Sequence, residues 1–199
     1  KEDATHVRNA LALSLDTAAI NSVVLQSGGE PTGALLPNWL SGYGFVFPTG
    51  ANLERARQER AMAKTASPIT LAYEASDPVA RVIAERIQLN ARDVNLVVQL
   101  TGTNNGNADA RLARIPLAST NAHVALMELA KVLQLARPKF ASDSVTEYDA
   151  EKLLLQSHKV IPLLHLRSGI AIGSRVRAAS VHPDNTLGLD NAWIAAGAP

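Results

Sequence analysis

Hydrophobic and polar positions alternate most clearly between Pro68 and Gly102. Ile69, Leu71 and Tyr73 alternate with Thr70, Ala72 and Glu74, the two-residue period of a strand. Asp77-Pro78 then supplies a helix cap with proline at the first helical position. Val79, Val82, Ile83 and Ile87 follow at helical spacing, with Arg81, Glu85, Gln88 and Arg92 on the opposite, wet face. Val94 to Leu100 reads as the returning strand. A crossover helix of this length favours a parallel, right-handed strand pair. The predicted class is therefore α/β (mixed α+β), a mixed sheet flanked by helices.

Before this unit, Val7, Ala10, Leu11 and Leu15 recur at helical steps, predicting a short helix over 5–15. Asp16 is placed to cap a second helix, TAAINSVVLQS, which Gly28 is expected to stop in a left-handed conformation. The Gly- and Pro-rich stretch that follows holds Trp39, Tyr43, Phe45 and Phe47, half of the eight aromatics in the chain. Asn52 caps a largely exposed helix reaching Lys64.

After the central unit, a polar link leads to LARIPLAS, expected as an edge strand or extended segment because of Ile115-Pro116. Helices are predicted over 122–135, capped by Thr120 or Asn121, and over about 146–157 with Tyr148, Leu153 and Leu154 inward. Val160 to Leu166 reads as a buried strand in which Pro162 argues for an edge or bulge, and the remainder as short strands and turns closing on Trp193.

Composition narrows the function classes more than it names one. With Lys+Arg 19 against Asp+Glu 18, the net charge of +1 argues against nucleic acid or an anionic membrane as the main partner. No apolar run approaches the ~20 residues that span a bilayer, and Lys1-Glu2-Asp3 is not a signal peptide. The absence of cysteine removes disulfides, thiol catalysis and cysteine-bound zinc, and is compatible with reducing and oxidising compartments alike.

Catalytic motifs are missing: no nucleophile elbow, phosphate loop, H-E-x-x-H or dinucleotide fingerprint occurs. His6, His123, His158, His165 and His182 are dispersed, with no metal-ligand spacing, so neither a metal nor a cofactor is expected. His165 stands out because it ends the apolar run VIPLLHL, where strand ends reach clefts, although a satisfied, partly buried histidine is the simpler reading. Arg111 and Arg114 flank an extended segment where a guanidinium would either hold a carboxylate or phosphate or remain solvated. Trp39 and Tyr43 would either pack down as a local mini-core or offer a platform to a ligand or partner.

The order of these pieces resembles the family 5 extracellular solute-binding proteins of ABC transporters, the peptide-binding type. The carrying residues are Val7-Arg8-Asn9-Ala10 and Ala12 to Asp16, then Ile20, Val23-Val24, Gly28-Gly29-Glu30-Pro31 and Leu36-Pro37. Pro68 to Leu71, the helix leading to Val97 to Leu100, Val160 to Leu163, and Trp193 continue the likeness. The resemblance implies a periplasmic-binding-protein-like lobe, the C-terminal part of a longer, non-enzymatic protein of the periplasm or extracytoplasmic space.

On that basis residues 1–159 would form the C-terminal ligand-binding lobe, and 160–199 a closing segment returning towards a missing N-terminal lobe. The implied partners are a small-molecule or peptide-like ligand, a membrane ABC permease and that missing lobe. Trp39, Tyr43, Arg111, Arg114 and His165 are the candidate ligand-facing residues. Two departures matter. Asp16-Thr17 stands where the family usually has Asp-Arg, and Arg111 to Leu117 stands where many members carry a W-x-x-D-Y type segment. Arginines in that region suit an anionic ligand group better than a peptide amine. Two other classes stay open: a structural module self-associating through the aromatic loop 39–47, and a hydrolase whose catalytic groups meet only in the fold.

Overall fold

A computed structural model describes residues 2–64, 68–102, 107–138, 140, 146–167, 171–182 and 186–196. Its organising element is a three-stranded parallel sheet in the order β3-β2-β4, made of β2 (Ile69–Ala72), β3 (Val98–Thr101) and β4 (Ala110–Arg111). The crossover from β2 to β3 is helix α5 (Pro78–Arg92). Asp77 caps it as the sequence predicts: one carboxylate oxygen accepts from the backbone N–H groups of Val79 and Ala80, at 2.9 and 3.1 Å. Ile83 and Ile87 face the sheet, and burying such side chains stabilises by about 1.5–3 kcal/mol each.

The returning strand is shorter than the expected Val94 to Leu100. Asn95 adopts a left-handed backbone (φ 59°), so a turn rather than a strand carries the buried Val94 and Leu96 into the core. Val82 also departs from expectation, lying on the exposed flank of α5.

Helix α1 (Glu2–Ser14) packs on α4 (Leu53–Met62), and Asn52 caps α4 by accepting from the Arg55 N–H. Between them, Asp16 caps α2 (Thr17–Ala19) through the Ala19 N–H at 2.8 Å, and α2 runs into a π-helix over Ile20–Val24. This helix stops at Gln26 and Ser27, whose φ values of 50° and 63° do the work expected of Gly28. Buried Asn21 explains the stop, since its side-chain oxygen accepts from the Gly29 N–H and sets the chain's direction into the next strand.

That strand, β1 (Gly29–Pro31), has no sequence signal because it is short and holds glycine and proline. It pairs antiparallel with β5 (Leu164–Leu166), joining segments far apart in the chain, with Glu30 opposite His165. β5 is the part of the expected Val160 to Leu166 strand that forms a ladder, extended by a bond from the Thr32 N–H to the Leu163 carbonyl at 3.1 Å, and the residues before it are partly buried rather than fully so. LARIPLAS likewise runs as extended chain, with β4 just before it forming the sheet edge.

Two helices close the second half of the core, α6 (Ala122–Val132), capped by Asn121, and α7 (Glu147–Leu155). α6 ends before the expected Leu135, at a left-handed Gln134 (φ 54°). Leu126, Leu129 and Ala130 of α6 pack with Ala150 and Leu154 of α7 and with Leu36. Leu153, expected inward, is exposed, and Leu155 takes its place in the core. The short α3 (Asn38–Ser41) lies in the aromatic loop.

Two small antiparallel ribbons finish the chain, β6 (Val176–Arg177) with β9 (Trp193–Ile194) and β7 (Ser180–Val181) with β8 (Leu187–Gly188). None of their residues belongs to a core cluster among the described residues, and Trp193 is exposed.

Candidate ligand-binding face

The five candidates separate into an interior group and an edge group. Tyr43 and His165 form the interior group, and they meet at one peptide. Tyr43 Oη donates to Glu151 Oε2 at 2.6 Å, and Glu151 Oε1 accepts from the backbone N–H of Leu35 and, at 3.4 Å, of Leu36. On the other side of the same residue, His165 Nε2 lies 3.1 Å from the Leu35 carbonyl. A carbonyl only accepts, so Nε2 carries the hydrogen.

Glu151 is the residue that sequence reasoning missed. It is fully buried, at 0% exposure, on a helix whose other charged positions look like ordinary surface. Burial raises its pKa, against the three donors that lower it. Burial, and then the hydrogen bond to Glu151, raises the Tyr43 pKa as well. Burial lowers that of His165. The pattern pointed away from this site: an i, i+3, i+4 stripe of apolar residues predicts which helix face is inside, not which polar residue is kept there because a loop brings it donors.

The loop it holds is tightly built. A Cβ at Gly33 would lie 1.9 Å from the Phe47 carbonyl oxygen, so only glycine lets the two halves of the loop close on each other. Tyr148 meets Tyr43 edge-to-face at 5.3 Å, and Phe47 packs on the Ala34–Val46–Leu155 cluster. Trp39 and Phe45 go the other way, at 67% and 62% exposure. The aromatic stretch is thus half mini-core and half exposed surface.

Arg111 and Arg114 belong to the edge group. Parallel strands place their carboxyl ends together, so Ala72, Thr101 and Arg111 end at one edge of the sheet, beside the amino end of α5. In open α/β sheets this edge is where ligands bind. Both arginines are exposed there. Arg114 Nη2 reaches the second carboxylate oxygen of Asp77 at 3.0 Å, so one aspartate both caps α5 and orients a guanidinium. The pair is open to solvent, and such pairs contribute about 0–1 kcal/mol. Arg114 therefore has little to do for stability.

Tyr73 and Gly102 complete the edge. A Cβ on Gly102 would stand 3.4 Å from the Tyr73 hydroxyl, which lies over that glycine. Glu74 sits alongside, its carboxylate accepting from the Ser76 hydroxyl at 2.8 Å and held below the usual range by that bond. A separate hollow of about 470 Å³, lined by His123, Met127, Arg137, Pro138 and Phe140, contains none of the candidates. Among the described residues there is no group of His, Cys, Asp and Glu able to hold a metal, and no helix long and apolar enough to cross a membrane.

The sequence pattern of the family described as bacterial extracellular solute-binding proteins, family 5 Middle, matches residues 3–126, more than half of the chain. The chain belongs to the family 5 bacterial extracellular solute-binding proteins. Solved structures of similar fold agree. The oligopeptide-binding protein AppA of Bacillus subtilis, solved with a nonapeptide, is 20% identical with a TM-score of 0.64, over 96% of this chain and 48% of that one. The substrate-binding domain of an oligopeptide ABC transporter of Bacillus anthracis is 14% identical with a TM-score of 0.68, over 96% and 46%. NikA of Staphylococcus aureus, solved with Ni(L-His)2, is 16% identical with a TM-score of 0.60, over 91% and 46%. The family 5 chain thus spans less than half the length of these three proteins. No curated protein sequence matches it.

Proposed function

We propose that this family 5 chain is the C-terminal lobe of the solute-binding component of an ABC importer. It captures a small molecule or peptide-like ligand between two lobes and delivers it to a membrane permease, outside the cytoplasm and without covalent chemistry. Residues 1–159 act as the ligand-binding lobe, and 160–199 return towards the other lobe. The paired strands β6 with β9 and β7 with β8, with Trp193 and Ile194 exposed and outside every described core cluster, are what such a returning segment would look like without its counterpart.

The observation that carries the reading is the carboxyl edge of the parallel sheet, where Arg111 and Arg114 stand exposed beside Tyr73 and the α5 cap. The structurally similar proteins were solved with ligands as different as a nonapeptide and Ni(L-His)2, so the fold leaves the ligand open and the side chains must choose it. Two guanidiniums favour a ligand with a carboxylate or phosphate, held as Asp77 already holds Arg114. Trp39 supplies an exposed apolar surface, whereas Tyr43 and His165 support the loop that bears it. Binding stabilises the closed arrangement through contacts made only there, which is a population shift. Calorimetric titration of the full-length protein with peptides, sugars and organic acids tests this. Binding of an acid-bearing member is expected, and no binding by any member would overturn the proposal.

The exposure of Trp39 and Phe45 favours one second reading, a module that self-associates through loop 39–47. Light scattering separates the two. A concentration-dependent dimer lost on Trp39→Ala would support self-association, and a monomer at all concentrations the importer lobe.

A further inference from the structure

Away from both regions described above, titratable side chains cluster where α1 meets the turn that follows α7. Two side-chain bonds cross this joint, each between residues 149 positions apart. Arg8 Nε donates to the Ser157 carbonyl at 3.1 Å, while its Nη2 donates to Thr5 Oγ1 at 3.1 Å and so holds the guanidinium in place. The second tie joins His158 Nδ1 to Asn9 Oδ1 at 2.9 Å.

A third residue sets the direction of that tie. Asn9 Nδ2 donates to Glu59 Oε2 of α4 at 3.2 Å, which leaves the amide oxygen facing His158. An amide oxygen only accepts, so Nδ1 of His158 carries the hydrogen and Nε2 is the atom that would take a proton. His6 Nδ1 lies 2.8 Å from the same Glu59 oxygen. Glu59 is held below the usual carboxylate range, first by this bond, so His6 donates to an ionised carboxylate and keeps its bond in either charge state.

His158 is placed differently. Its ring is half-buried, 5.5 Å from that of Phe47, on a left-handed backbone (φ 46°) whose N–H donates to the Leu155 carbonyl at 2.9 Å. The charged groups that face it are Arg8 from α1 and Arg55 and Glu59 from α4. Two guanidiniums outnumber one carboxylate, and that carboxylate already accepts from His6 and Asn9. Burial, and then Arg8, lowers the His158 pKa. A group of this sign contributes fully above its unfolded value of about 6.5, and the contribution is lost as pH falls through the folded value.

We propose that His158 is a proton-operated latch: neutral, it fastens the turn 156–159 to α1 through Asn9, and protonated, it releases that turn. The Asn9 bond itself survives protonation, so release is driven by half-burial of a charged ring beside Arg8 and Arg55, both relieved when the ring moves out to water. The turn leads to Val160, which packs on the Ala34–Val46–Leu155 cluster, and on to β5. Acid therefore loosens the hold on the start of 160–199 while α1 stays packed on α4. The inference stands independently of the ligand reading.

The test is NMR-detected hydrogen exchange of the full-length protein between pH 7.5 and 5, with each rate corrected for the chemical rate at that pH. The amides of Gln156 and His158, bonded to the Lys152 and Leu155 carbonyls, should lose protection at least fivefold, while Ile87 and Ala91 of α5 change less than twofold. His158→Asn tolerates the left-handed backbone and does not titrate, so the loss should vanish at Gln156. His6→Gln should keep it. The imidazole nitrogen shifts of the parent decide the matter separately from any variant: His158 should be the Nδ1–H tautomer at pH 7.5, with a midpoint below about 6.5 that coincides with the loss of protection. The proposal is overturned by an Nε2–H tautomer, by unchanged protection at Gln156 and His158, or by an equal loss in α5. It is also overturned if the loss persists in His158→Asn or disappears in His6→Gln.

Discussion

Tyr43 and Arg114 are both ligand-facing candidates in the sequence, and the fold gives them opposite surroundings. Tyr43 spends its hydroxyl on a buried glutamate that organises a loop. Arg114 spends one N–H on the half-buried cap of α5 and itself stays open to solvent. A polar side chain consumed inside the protein contributes to stability, and one in a solvated pair at a strand edge contributes little to it. Substitutions in the two regions should therefore fail in different assays.

The largest effect is expected at the interior. Glu151→Ala leaves the Leu35 and Leu36 N–H groups and the Tyr43 hydroxyl without their acceptor, each costing about 1–3 kcal/mol. A loss of roughly 3–5 kcal/mol in urea unfolding follows, with some relaxation of the loop. A loss under about 1 kcal/mol would mean that Glu151 is not the centre of this region. Tyr43→Phe removes one donor and keeps the ring against Tyr148, so about 1–2 kcal/mol is expected by the same assay.

Protonation gives a subtler handle. The folded-state pKa of His165 is lowered by burial, so its contribution is complete above the unfolded value of about 6.5 and is lost as pH falls below it. Glu151 has a raised pKa and the opposite sign: its protonation favours the fold below the unfolded value of about 4.3, and this is lost as pH rises towards the folded value. The trends oppose each other, so the total profile is a poor probe. The difference between the parent and His165→Gln isolates the histidine, because glutamine still has an N–H to offer the Leu35 carbonyl but does not titrate. The stability advantage of the parent should shrink between pH 7 and 5. An advantage independent of pH would place His165 in a solvated site.

The smallest stability effect is expected at the edge. Arg114→Ala should change unfolding by less than about 1 kcal/mol, as exposed ion pairs do. A larger loss would move Arg114 into the structural group and remove the contrast with Tyr43.

Much of this division was beyond the sequence for definite reasons. Asp16, Asn52, Asp77 and Asn121 announced their helices because capping is local, and all four accept the expected backbone N–H groups. The parallel unit was legible because its strand and helix periods change cleanly around Asp77-Pro78. β1 was not, since its pairing with β5 joins Glu30 to His165 across the chain and leaves no local pattern. The role of His165 followed from that pairing, and the role of Tyr43 from Glu151, 108 residues away. The edge position of Arg111 and Arg114 was closer to the surface of the sequence, because it needed only the extended segment after the second strand.

The most direct measurement is therefore the affinity of the full-length protein for whichever carboxylate- or phosphate-bearing compound of the panel binds most tightly, by calorimetry, with and without Arg114→Ala. The account predicts at least tenfold weaker binding at unchanged stability. Equal affinity in the two proteins would contradict it.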